Sequence, residues 1–152
     1  TSTAEIETFL VDNAASKDVA VGGYDAYEVS FTLKPQFEGK TKVTLCNACG
    51  EKFSLEFDTE NMTVLADRSE SGKMTRIKSF VLMPAAPLGL CNSSDGYDVD
   101  VFVDKCSVEV FVDGGRIAMT NLVFPSESFD NIVFESTGES EISNMFIHKI
   151  GK

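Results

Sequence analysis

The sequence predicts an all-β fold, a two-sheet antiparallel β-sandwich of about eleven strands. Three observations predict it. The segment from Asp98 to Pro125 alternates apolar and polar residues twice, broken by two turn signals, which describes three antiparallel strands. Nearly every other apolar segment is short and β-patterned. No long stretch carries a helical period, and there is no internal repeat, low-complexity segment or linker.

The elements follow in order. Glu5 to Val11 reads as a strand. Asn13 to Gly23 is rich in Gly, Ala, Ser and Asn and reads as a loop. Ala26 to Leu33 sets Tyr27, Val29, Phe31 and Leu33 against polar neighbours, the period-two pattern of a half-buried strand. Lys42 to Cys46 and Lys52 to Phe57 are two more. Asp58-Thr59-Glu60-Asn61 is a turn, and Met62 to Ala66 pairs back as a hairpin. Arg76 to Leu82 is a further strand, and Pro84 to Gly96 a second loop. After the three strands of 98–125, Phe129 to Glu135 and Glu141 to Ile150 complete the set, joined through Thr137-Gly138.

The central register can be argued from side chains alone. With Asp104-Lys105-Cys106-Ser107 as the loop, Val103 faces Val108, Val101 faces Val110 and Val99 faces Val112. A slip by one residue would set valines against Glu109 and Phe111, which a half-buried sheet resists. Gly114-Gly115 suits the positive φ values of a two-residue hairpin turn. It places Ile117 beside Val112 and Met119 beside Val110. One face of this meander is then aliphatic. The other carries Asp98, Asp100, Phe102, Glu109, Phe111, Ala118 and Thr120.

At 152 residues the chain is expected to be one module, 1–152, large enough to bury a core. Its opening Thr-Ser-Thr-Ala suggests a fragment or processed form of something longer. Thirteen Lys and Arg against 24 Asp and Glu give a net charge of −11. A chain this acidic repels nucleic acid and anionic membranes, because phosphate binding needs clustered cations; neutral, hydroxyl-rich ligands remain compatible. The most apolar stretch, Phe80 to Cys91, is short and broken by Pro84 and Pro87, so no transmembrane segment is expected.

Familiar chemistries find little support. Cys46-Asn47-Ala48-Cys49 has the spacing of half a zinc site, but no second C-x-x-C follows and the single His148 is far off in sequence. No metal and no cofactor are expected. A catalytic triad would have only His148 to draw on, and phosphate-cradling glycine loops are absent.

Two segments carry a family resemblance. Val101 to Gly115, with Phe102-Val103-Asp104, Ser107, Glu109-Val110-Phe111 and Gly114 in place, resembles the signature F-V-D-x-S-S-x-E-V-F-x-x-x-G. That pattern belongs to the C-terminal β-sandwich module of glycoside hydrolase family 32, the levanases, inulinases and invertases. Val123-Phe124-Pro125 is similar to the strand ending that follows it. Upstream, Ala66 to Gly72 resembles the family's D-R-S-x-S-G segment. Cys106 stands where serine is usual. The resemblance spans about Ala26 to Ile150 and implies a concanavalin-like or jelly-roll-like sandwich. It implies a catalytic β-propeller as partner and a setting of fructan or sucrose breakdown, extracellular or periplasmic. The family's catalytic strings W-M-N-D-P-N-G, R-D-P and E-C do not occur, and there is no Trp at all. This chain alone is therefore not expected to be an enzyme.

Two roles follow. As an accessory module it would stabilise the propeller and shape its cleft. As a binding module, similar to carbohydrate-binding family 66, it would hold the terminal fructose of levan or inulin. Carboxylates and Arg grip vicinal hydroxyls through charge-assisted hydrogen bonds, and an aromatic ring covers a sugar face. The candidates are Asp67, Arg68, Asp104 and Glu109, with Phe102 or Tyr97 as the apolar wall. In the accessory reading, Asp67 and Asp104 are turn residues, and Glu109 is a covered carboxylate needing a partner such as Arg68.

Overall fold

A computed structural model describes residues 2–21, 26–37, 39–70, 86–87, 96–113, 117–123, 125 and 127–151. Among them are thirteen strands and no helix: β1 (Ser2–Ile6), β2 (Phe9–Asp12), β3 (Lys17–Ala20), β4 (Ala26–Phe37), β5 (Lys40–Cys46), β6 (Lys52–Asp58), β7 (Thr63–Glu70), β8 (Ala86–Pro87), β9 (Tyr97–Val103), β10 (Ser107–Val112), β11 (Ile117–Leu122), β12 (Asn131–Ser136) and β13 (Glu139–Gly151). They form the two antiparallel sheets that the pattern predicts. The first runs β1-β13-β4-β9-β10-β11, with β2 also on β13; the second runs β3-β12-β5-β6-β7-β8.

The valine register holds at every pair: Val103 with Val108, Val101 with Val110, Val99 with Val112, then Ile117 with Val112 and Met119 with Val110. These valines are buried, and their strands alternate buried and half-exposed positions, so burial of one face fixed the pairing. The Gly114-Gly115 turn and the Arg76–Leu82 strand lie outside the described residues.

The differences sit at edges. Residues 5–11 form two strands rather than one. β1 pairs with β13 as far as Ile6–Met145 and β2 resumes at Phe9–Ile142. The break lies opposite a bulge in β13, where Asn144 takes φ 51°, a left-handed value that Asn tolerates better than most residues. The expected loop 13–23 contains β3, which adds to the edge of β12. Val19 is its single buried side chain, too little to register as alternation. The loop 84–96 contains β8, two residues on the outer edge of β7, where a proline is tolerated.

The core lies between the sheets. Phe134 of the second sheet meets Phe31 and Phe9 of the first edge-on, at 5.4 and 5.2 Å between ring centres. Tyr27 is fully buried, and its hydroxyl donates to the Phe129 carbonyl at 2.7 Å. Burial, then the negative charge of Asp130, pushes that phenol well above its ordinary value, so it stays protonated and able to donate. At one end the chain crosses between sheets twice, side by side: Lys40 N donates to Thr137 Oγ1 and Thr137 N to the Lys40 carbonyl, both at 2.9 Å.

Candidate functional site

Six strands of the first sheet, all but β2, each contribute one residue to a row across it. Cα pairing aligns Thr3, His148, Glu28, Phe102, Glu109 and Thr120 from β1 to β11. Thr3 Oγ1 lies 2.6 Å from His148 Nδ1. Phe102 packs edge-on against Phe111 at 5.8 Å. Glu28 and Asp100 are diagonal neighbours on β4 and β9. Partial burial raises the Glu28 carboxyl, Asp100 raises it further through its charge and a hydrogen bond, and His148 pulls it down.

This arrangement has a pH consequence. The folded state holds the Glu28 proton more tightly than the unfolded chain does. Its contribution is therefore stabilising in acid and is lost as pH rises through the folded value. Glu28→Gln is expected to raise stability at neutral pH by about 0.5 kcal/mol, the scale of a cross-strand like-charge contact. It should also flatten the fall in stability above the usual carboxylate range. Urea midpoints across a pH series test this; an unaltered slope would count against the pairing.

Beside Phe102 and Glu109 of this row, at the β9–β10 turn, two clefts open. The first, about 390 Å³, is lined by Phe102, Asp104, Ser107, Glu109 and Ile150, with Ala26, Tyr27 and Val103. The second, about 290 Å³, is lined by Val103, Asp104, Lys105, Pro125, Glu127, Ser128 and Phe129. Asp104 Oδ1 accepts the Lys105 amide at 2.7 Å, and the Asp104 amide donates to the Ser107 carbonyl at 2.9 Å. The turn is thus tight and the carboxylate held in place.

Of the residues singled out from sequence, the structure brings Phe102, Asp104 and Glu109 together in the first cleft. Asp67 lies elsewhere, exposed on β7 of the second sheet opposite Ser54, and lines neither cleft. Arg68 follows it on β7; its side chain is outside the described residues. Tyr97 is buried, so Phe102 is the available ring. The expectation that Glu109 is covered is corrected. It points away from the core, half-buried, between Phe102 and Thr120, on a face where Ala118 and Thr120 are exposed. Glu109→Ala should therefore shift stability by no more than about 0.5 kcal/mol. Thermal melting decides it, and a loss beyond about 2 kcal/mol would restore the buried-pair reading.

Sequence reasoning missed Ile150, Lys105, Glu127 and Ser128. The loop before β12 has no motif. It is brought to the Asp104 turn by tertiary bonds, among them Asn47 Nδ2 to the Glu127 carbonyl at 2.9 Å. Among the described residues no three His, Cys, Asp or Glu side chains gather as a metal site. Burial pushes the Cys46 thiol up, which disfavours the thiolate that metals bind.

The fold defines a β-sandwich module with two surface clefts beside the β9–β10 turn. The chain belongs to the glycosyl hydrolases family 32 C-terminal family, whose model matches residues 1–149. It is 28% identical over 148 residues to the levanase of Bacillus subtilis, covering 94% of this chain and 22% of the levanase. It is 30% identical over 95 residues to the extracellular exo-inulinase of Aspergillus niger, covering 62% of this chain and 18% of that protein. In fold it resembles the β-fructofuranosidase of Schwanniomyces occidentalis complexed with fructosyl-erythritol, with a TM-score of 0.79, 19% identity, and coverage of 99% of this chain and 33% of that one. The chain thus spans about a fifth of the length of these two relatives.

Proposed function

We propose that the chain is the non-catalytic C-terminal accessory module of a fructan-active glycoside hydrolase that works outside the cytoplasm, where it stabilises the catalytic propeller and shapes its cleft. One observation carries this reading: the family model fills residues 1–149 of the chain, and the chain aligns with only 22% of a levanase. The catalytic strings missing here would then reside in the remainder of the parent. Deleting the module from its full-length parent should lower the melting temperature and cut hydrolysis of fructan, while the isolated chain releases no fructose from sucrose, levan or inulin. Unchanged melting and turnover after deletion, or fructose release by the isolated chain, would overturn it.

A second reading, that the module also binds fructan, is favoured by one specific feature. Asp104, Glu109 and Phe102 line one open cleft of about 390 Å³. Carboxylate acceptors beside an aromatic ring are suited to sugar hydroxyls and the apolar face of the ring.

A further inference from the structure

The two clefts share one wall, Val103 and Asp104. We propose that they are a single two-lobed site for a neutral oligosaccharide, one sugar ring in each lobe, with Asp104 gripping both. This rests on the fructan-binding reading and deepens it from a terminal-sugar pocket to an oligosaccharide site.

Size comes first. At about 390 and 290 Å³, each lobe sits near the lower end of small-ligand pockets, which begin at roughly 300 Å³. A lobe accommodates one monosaccharide, and a longer ligand must cross the Asp104 ridge. Chemistry comes next. Among the described residues the lobes present three carboxylates, Asp104, Glu109 and Glu127, against one cation, Lys105. Ionised carboxylates only accept hydrogen bonds. Such a lining selects ligands rich in O–H donors and repels phosphates. Apolar surface stands in each lobe, Phe102 and Ile150 in the first, Pro125 in the second, as the C–H faces of two rings require.

The walls are also fixed before any ligand arrives. Asn47 ties the Glu127 backbone and Tyr27 the Phe129 backbone. The Val123 amide donates to the Cys106 carbonyl at 3.0 Å, joining the end of β11 to the Asp104 turn. A site held from three sides loses little conformational entropy on binding. Asn47 is accordingly a positioning residue for the second lobe.

Calorimetry on the 152-residue chain with a neutral fructose trisaccharide, free fructose and a fructose phosphate tests the proposal. The trisaccharide should bind about tenfold more tightly than fructose, and Asp104→Asn, which keeps the turn, should weaken it about tenfold, the scale of one charged hydrogen bond. Glu127→Gln should weaken the trisaccharide and leave fructose, seated in the first lobe against Phe102, unchanged. The phosphate should bind worse than fructose. Trisaccharide affinity unmoved by both substitutions, with folding intact, or no tighter than that of fructose, overturns the two-lobed site and leaves fructan binding standing. No heat with any sugar at millimolar concentration, with native melting, overturns both.

Discussion

Phe134→Ala is expected to cost about 4 kcal/mol, within the range for removing a buried phenylalanine. Phe134 is fully buried on β12 and is the side chain through which the second sheet meets Phe9 and Phe31 of the first. Truncation leaves a cavity with walls belonging to two different sheets, so neither can relax into it without shifting a whole layer. It also removes two edge-on aromatic pairs, each worth about 1 kcal/mol beyond simple burial. Phe134→Leu, which keeps most of the volume, should recover more than half of the loss. Urea unfolding monitored by circular dichroism measures both variants. A loss below about 1 kcal/mol for the alanine variant would mean that the sheets do not depend on this contact.

Gly96→Ala is expected to cost about 3 kcal/mol, through two effects that can be separated. Gly96 has φ +92°, and a Cβ there would lie 2.9 Å from the Leu33 carbonyl and 3.1 Å from Thr32 Cγ2. A non-glycine residue at positive φ costs roughly 1–2 kcal/mol. The carbonyl belongs to β4, which is paired on both sides by β9 and β13, so it cannot move aside and the clash adds a further cost. Gly50 supplies the control. Its φ is +81°, and nothing lies within 4 Å of its added Cβ. Gly50→Ala should therefore show the conformational cost alone, about 1 kcal/mol. Equal losses at the two positions would show that the close approach at Gly96 has no energetic consequence.

Legibility from sequence followed burial. The register of β9 to β11 was readable to the residue, because eight alternating apolar side chains on three facing strands leave one pairing that keeps them on the core side. β3 and β8 were not, since an edge strand with a single core side chain, as in β3, or one only two residues long, as in β8, writes no period into the sequence. The cleft was half readable. Phe102, Asp104 and Glu109 sit on a strand pair and its turn, where the spacing of two, then five, residues fixes how they can gather. Glu127 and Ser128 reach the same place through a loop held by side-chain bonds from Asn47 to the Glu127 carbonyl and from Tyr27 to the Phe129 carbonyl, and partners 80 and 102 residues apart leave no local trace.

β13 closes three strands at once, β1, β2 and β4, and it joins β1 across 145 residues, as between Thr3 and His148. In a growing polypeptide, β1 and β2 must wait for nearly the whole module to be synthesised before their hydrogen-bonding edge finds its mate. Contacts of such long range place the module among slow folders. They also leave the row beside β4 as an unpaired strand template in the meantime. A stop codon ahead of β13 would make that exposure permanent. Such a product should collect in aggregates during translation, even with its central valine meander complete.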